Sequence, residues 1–363
     1  MPAPHERRRA QLGHELVGRE LDAALVTDLV NVRYLTGFTG SNAALLVTVE
    51  GGATLATDGR YGDQAAQQCG DLERLISRTL PSVLLDTLTS RATLRCGVET
   101  HVLTVDEHAA IAEQAREHPG WVLSSLDRAV EGLREVKDAA EVAALRQACA
   151  ISTSALAGLL AAPLAGRTER AIARDLERRM YELDAEAIAF DSIVASGPHS
   201  AIPHHDPTQR AVVVGDLLKI DFGARYEGYH ADCTRTVVIG SAADWQREIY
   251  AAVAQAQQAG VNALGVDVPV ADVDAAARDA LDRSGYLEHF TTGLGHGVGL
   301  QIHEAPFVAK RHPGRIRSHT ALTIEPGVYL PGRGGVRIED TLLVTDEGAA
   351  VLTTTTKDLL VLD

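Results

Sequence analysis

Short apolar runs alternate with helix-period stretches over the first third of the chain. Residues 22–26 (DAALV), 43–48 (AALLVT) and 53–57 (ATLAT) are aliphatic runs of strand length. Such runs predict strands. Stretches near 6–18 and 61–68 carry helical spacing and predict helices. This alternation predicts an α/β domain. The pattern changes near residues 131–137. From Asp138 runs a long helical stretch, DAAEVAALRQACAISTSALAGLLAA, and after Gly166 a second, TERAIARDLERRMYEL. Thr168 is the expected N-cap of the second, although its capping-box position is Ala171. Residues 188–239 turn strand-like, helices are expected near 243–259 and 270–284, and the glycine-rich end is strand-like again. Helices leading into largely antiparallel strands predict an α+β second domain. The expected division is residues 1–135 and 136–363.

Length and composition agree with two folded domains. The chain has 363 residues, 45% hydrophobic and 23% charged, so it can bury a core. Lys and Arg number 34 against 49 Asp and Glu, a formal net charge of −15. Nucleic acid and anionic membranes both demand a basic footprint, so neither is an expected partner. The surplus of carboxylates suits a cation site. Cys69, Cys96, Cys149 and Cys233 are scattered, with no C-x-x-C pair for a zinc ribbon or redox centre. The first residues, MPAPHERRRAQLGHEL, contain no apolar signal core, and no apolar run approaches about 18 residues. The expectation is a cytoplasmic protein without a membrane span.

Five residues in the second domain carry candidate chemistry. Asp221 and Asp232 sit in apolar, strand-like runs on either side of a glycine-containing turn at 224–228. Their odd separation predicts that they oppose each other in a hairpin, with Cβ atoms about 4.5–5.5 Å apart. Two such carboxylates repel when buried, unless a cation lies between them. The alternative is a pair of solvated edge residues. Leu218, Ile220, Phe222, Val237 and Val238 have the look of a buried surround. His296 lies among Gly293, Gly295, Gly297 and Gly299 in TTGLGHGVGLQIHEAPF. Neither a phosphate-loop spacing nor an H-E-x-x-H pair is present, because position 307 is Phe. Taken alone, His296 could equally be a core histidine. Glu325 and Glu339 interrupt apolar runs in LTIEPGVYLPGRGGVRIEDTLLV. Their even separation puts them on one face of a hairpin only if the loop is odd or a bulge intervenes. Edge carboxylates, or a structural pair with Arg337, would also account for them.

If all five converge, the four carboxylates balance two divalent cations around a neutral imidazole. Oxygen ligands with one imidazole suit Mn²⁺, Co²⁺ or Zn²⁺, and Mn²⁺ is the expected metal. Two metals generate a hydroxide nucleophile and clamp an oxyanion, which is hydrolase chemistry.

The ordered set Asp221, Asp232, His296, Glu325, Glu339, within IDFG, GLGHGVGLQIHE, TIEPGVY and GVRIED, resembles the pita-bread metallopeptidases. NVRYLTGFTGSNAALLV and TDGRYGDQA resemble the amino-terminal domain of the proline-specific branch and of creatinase. The resemblance covers essentially the whole chain. It implies an α/β amino-terminal domain, a pita-bread catalytic domain, and hydrolysis of the Xaa-Pro bond at the N-terminus of short peptides. An Xaa-Pro dipeptidase is slightly favoured by size, with Xaa-Pro aminopeptidase activity on longer peptides as the alternative. A non-catalytic binding protein on the same fold is the third reading, opposed by the intact ligand set.

The resemblance also implies roles. Asp221 chelates one metal, Asp232 and Glu339 bridge both, and His296 and Glu325 complete the other. A bridging hydroxide attacks the carbonyl before proline, and Glu325 doubles as proton shuttle. His303 and His204 match substrate-contacting histidines of the family, and Arg337 supports a bridging carboxylate. His205 is the less favoured neighbour of His204, since side chains alternate in extended chain. Thr292 stands where proline-specific members often carry histidine, which bears on the pocket and not on metal binding. Arg60 is a candidate for the carboxylate of a dipeptide, acting across the interface of a homodimer.

Overall fold

The computed structural model describes residues 4–363. The chain divides into two compact units, the first ending at Arg134 and the second spanning Glu135–Asp363.

The first unit is α/β. Its six-stranded sheet runs in the order Glu73–Ile76, Ala53–Thr57, Ala43–Thr48, Ala23–Val26, Leu94–Val98, Trp121–Ser125. The first three strands in sequence form an antiparallel meander, and the other three add in parallel. All four residues of Ala23–Val26 are buried. A strand covered on both faces reads as a continuous apolar run instead of an alternating one. Helices Pro4–Gly18 and Gly62–Gln68 stand where the sequence pattern places them.

The second unit is α+β. Helices Ala139–Leu160 and Glu169–Glu182 pack on a sheet ordered Val361–Leu362, Cys233–Ile239, Leu217–Phe222, Ile193–Ser196. Leu156, Leu159, Leu176, Ile220 and Val237 share that core. Helices Asp244–Ala263 and Val270–Arg283 pack with Leu322 and Leu342 of a second sheet, through Ile249, Val253, Val273 and Leu281. The strands of this second sheet run Glu304–Val308, Gly295–Gly297, Thr320–Ile324, Asp340–Thr345, Gly348–Val351. Helix starts follow the sequence signals. Asp138 accepts from the N–H groups of Ala140 and Glu141, and Thr168 accepts from Ala171 N–H at 3.2 Å. Ala171 thus contributes its backbone donor, and no capping-box side chain is used.

Helix Ala139–Leu160 is, by length and composition, apolar enough to cross a membrane. Half of that window is buried inside the protein. Ile151, Ala155, Leu156 and Leu159 face the core, so its hydropathy has a packing cause.

The two sheets are tied where the candidate carboxylates lie. Glu339 N–H donates to Thr234 O at 3.1 Å, and Thr341 Oγ1 donates to Asp232 O at 2.8 Å.

Candidate metal centre

The first hairpin places Asp221 and Asp232. Leu217–Phe222 pairs with Cys233–Ile239 in a register that sets Asp221 against Thr234. The same register continues outward, pairing Tyr226 with Tyr229. The turn is therefore Glu227 and Gly228, both at positive φ, as a two-residue type I′ turn requires. This corrects the expectation of direct opposition. The turn centre lies one residue further along than the sequence pattern suggested, so Asp232 is diagonal to Asp221. The parity is unchanged and both carboxylates remain on one face. Leu218, Ile220, Phe222, Val237 and Val238 are all buried around them.

The second hairpin places the glutamates. Ile324 pairs with Asp340, and Gly327 pairs with Arg337. The shared register sets Glu325 against Glu339. Leu330 pairs with Gly334, which leaves an odd loop of Pro331, Gly332 and Arg333. That odd loop is what an even separation on one face demands.

His296 arrives on Gly295–Gly297, a strand pressed between Glu304–Val308 and Thr320–Ile324. A Cβ at Gly295 would overlap the Thr323 carbonyl, so the strand can approach this closely only with glycine there. His296 Nδ1 lies 3.0 Å from Gly297 O and donates to it. Its Nε2 is thereby aimed at the carboxylates, 3.3 Å from Glu325 Oε1 and 3.5 Å from Asp232 Oδ2.

The cluster is buried and short of hydrogen-bond donors. Asp221, Asp232, His296 and Glu339 are each less than a tenth exposed. Arg337 is the nearby cation. It bonds Asp221 through Nη2, Thr234 Oγ1 through Nε at 3.0 Å, and Tyr329 Oη and Pro203 O through Nη1 at 2.9 and 3.1 Å. One guanidinium cannot neutralise four carboxylates. Asp221 Oδ1 and Glu339 Oε1 are buried without a hydrogen-bond partner among the described residues. Burial, reinforced by the charges of Glu339, Asp221 and Glu325, pushes the Asp232 carboxyl well above its ordinary range. Burial and the charges of Glu325 and Asp221 do the same to Glu339. Burial would raise Glu325 too, but its hydrogen bond with His296 and the charges of His296 and Arg337 carry it down. Burial would lower His296, but the bond and charge of Glu325 carry it up. Orphaned buried oxygens within a crowd of carboxylates fit cations. Ligand atoms of Asp232, His296 and Glu339 already lie within 4.8 Å of one another.

All five candidate ligands line one cavity of about 360 Å³, together with His204, Thr292, His303 and Arg337. Phe190, Ile193, Ile302 and Phe307 give it an apolar wall. The His303 ring meets the His296 ring edge-on at 4.3 Å. His204 faces the cavity, while His205 is buried and bonds Glu169 through Nε2 at 2.9 Å. Arg60 belongs to the first unit, where Asp58 holds its guanidinium through Nε and Nη2 at 2.9 and 2.8 Å.

The description of metallopeptidase family M24 matches residues 143–346, the span that contains every ligand candidate. The chain belongs to metallopeptidase family M24. The creatinase/prolidase N-terminal domain matches residues 8–136. An Xaa-Pro dipeptidase from Pyrococcus furiosus is 40% identical over 235 residues, 65% of this M24 chain and 68% of that protein. The solved structure of an Xaa-Pro dipeptidase from Bacillus anthracis superposes with a TM-score of 0.92 at 34% identity, covering 99% of this chain and 100% of that one. An X-Pro aminopeptidase from Thermotoga maritima gives 0.87 at 34% identity, covering 98% and 99%.

Some residues that shape this M24 site carried no sequence signal of their own. Thr234 links Arg337 to Glu339, and the only hint was a polar residue inside a buried strand, two beyond Asp232. Lys219 Nζ, buried, donates to Ile202 O at 2.6 Å and Pro203 O at 3.2 Å, beside His204. Lys137 and Glu304 form a buried ion pair of 2.6 Å directly beside His303.

Proposed function

We propose that this M24 peptidase hydrolyses the Xaa-Pro bond at the N-terminus of short peptides, with Xaa-Pro dipeptides as its principal substrates. The observation that carries the reading is one cavity joining four carboxylates, an imidazole and two partnerless buried oxygens to His204 and His303. The resemblance to named Xaa-Pro dipeptidases over the whole chain supports it.

Asp221, Asp232, His296, Glu325 and Glu339 would hold two divalent cations. When bound, such a pair supplies Lewis acidity and makes water nucleophilic at neutral pH. A ligand set of carboxylates and one imidazole, without thiolate, supports Mn²⁺ as the native metal. Glu325 takes the proton of the attacking water and returns it to the prolyl nitrogen as the bond breaks. His204 and His303 donate to the oxygen on which negative charge develops. Proline has no N–H, so a protease that grips a substrate N–H loses that contact, whereas groups aimed at the carbonyl keep theirs. The apolar wall receives the side chain before proline.

For a dipeptide, this reading assigns the free carboxylate to Arg60 supplied by a second copy of the chain in a homodimer. The Arg60 side chain is 69% exposed and braced by Asp58, so a reaching guanidinium is available. A second reading, cleavage of longer peptides, has its own supporting observation. Among the described residues lining the cavity, Arg337 is the one Lys or Arg, and its nitrogens are already engaged. Hydrolysis of Xaa-Pro dipeptides beside Xaa-Pro-Yaa tripeptides, with Mn²⁺ and with chelator, tests both. Metal-dependent turnover of dipeptides supports the first reading, turnover mainly of tripeptides the second. Inactivity on both with metal bound overturns both.

A further inference from the structure

Glu169 opens the helix Glu169–Glu182 and is fully buried. Its Oε1 accepts from Ser196 N–H and Ser196 Oγ, both at 2.8 Å, and from His199 Nδ1 at 2.9 Å. Its Oε2 accepts from His205 Nε2 at 2.9 Å, Thr208 N–H at 3.0 Å and Thr208 Oγ1 at 2.7 Å. The hydroxyl protons have little choice of direction. Arg210 donates to Ser196 Oγ through Nη1 at 2.6 Å and to Thr208 Oγ1 through its N–H at 3.1 Å. Each hydroxyl therefore spends its own proton on Glu169. Six donors hold the carboxylate ionised. Burial would raise its pKa, but the bonds from His205, Thr208 and Ser196 carry it down to about 2.

One side chain thus grips both ends of the segment from 196 to 208. Inside that segment, Lys219 and Arg337 fasten the carbonyls of Ile202 and Pro203. His205 is drawn inward to Glu169, while its neighbour His204, in the bend at 202–204, faces the cavity. Glu169 itself lines no part of that cavity.

Resting on the peptidase reading above, we propose that Glu169 is the positioning residue of the active site's His204 arm, acting on the reaction only through His204. The cluster Glu169, His199, His205 also has the composition of a metal ligand set. With three donors already on each carboxylate oxygen, it works as a hydrogen-bonded anchor instead.

The test compares Glu169→Gln, His204→Ala and the double variant in full-length, Mn²⁺-loaded protein. Glutamine presents an amide N–H₂ to three donors, so the segment loosens at one end. An arm displaced by about 1 Å costs on the order of 10²-fold in rate. E169Q is expected to lose that factor mainly in kcat, with bound metal unchanged. In the His204→Ala background it should cost little more. Equal losses in both backgrounds would overturn the proposal, and so would metal lost from E169Q. Should E169Q fail to fold, Thr208→Val removes a single donor and is expected to show a smaller, equally non-additive loss. Hydrogen exchange of residues 197–208 gives a readout independent of activity. It should quicken in E169Q or T208V while the helix Ala139–Leu160 stays protected. If the wild-type protein cleaves no Xaa-Pro peptide, the peptidase reading fails. Unchanged exchange in the segment would instead overturn the anchoring.

Discussion

Thr234 Oγ1 donates a 2.6 Å hydrogen bond to Glu339 Oε2 while accepting one of 3.0 Å from Arg337 Nε. The hydroxyl aligns Glu339 and leaves its Oε1 without a hydrogen-bond partner among the described residues, available to a cation. Removing such an orienting contact costs about 10–100-fold in metal affinity. Thr234→Val should weaken Mn²⁺ binding by that factor in competition titrations with a fluorescent chelator. Thr234→Ser, which keeps the hydroxyl, should bind nearly as the wild type.

Metal removal should expose the repulsion stored in the cluster. Asp232 and Glu339 have folded-state pKa values raised by burial and by neighbouring carboxylates. A carboxyl raised in the folded state stabilises it below the unfolded pKa, and that contribution is lost as pH rises through the folded value. The metal-free protein should therefore lose thermal stability as pH climbs above the ordinary carboxylate range. With Mn²⁺ present the trend should reverse, because cation binding needs these groups deprotonated and releases their protons. Asp232→Asn should raise the melting temperature in chelator at neutral pH and abolish the rise that Mn²⁺ produces. A lower melting temperature in chelator would contradict the repulsion argument.

Substrate discrimination tests Thr292 and Arg60 separately from the candidate metal ligands. Thr292 lines the cavity, and its carbonyl accepts from Arg278 Nη2 at 2.9 Å, which fixes the backbone there. Thr292→His should lower KM for Xaa-Pro peptides by adding an imidazole face, with the bound metal content unaltered. Arg60→Ala should raise KM for dipeptides by about tenfold or more, the worth of about one charge-assisted hydrogen bond, and spare tripeptides. Equal effects on both substrate lengths would remove Arg60 from carboxylate recognition.

Stability near His303 rests on the ion pair of Lys137 and Glu304, whose side chains are 0% and 5% exposed. Replacing Lys137 removes the cation that faces the Glu304 carboxylate in the interior. Lys137→Met should cost about 3–5 kcal/mol in urea denaturation. A loss under about 1 kcal/mol would mean that water reaches Glu304 in the variant.

The alternation of apolar runs, the helix starts at Asp138 and Thr168, and the α/β-then-α+β order are legible in the chain because each depends on neighbours in sequence. So is parity along a strand. The period of two holds Asp221 and Asp232 on one face wherever the turn falls, and the chain supplies Gly228 for the turn itself. The absolute register was not legible. A shift of the turn centre by one residue moved the partner of Asp221 from Asp232 to Thr234. For the glutamates, only the pairing of Leu330 with Gly334 reveals the odd loop that opposes them.

What the sequence by itself determined was the inventory: hard ligands set in apolar strands, glycines flanking His296, and motifs distinctive enough to indicate the family. Only the tertiary structure decided that two hairpins and a third strand bring those ligands onto one cavity. It alone decided that Thr234 links Arg337 to Glu339, and that Glu169 draws His205 inward. Those contacts join residues dozens to more than a hundred positions apart. Local propensity is silent about them, because their energy arises only when burial strips water from each polar group and leaves it the partner that the fold provides.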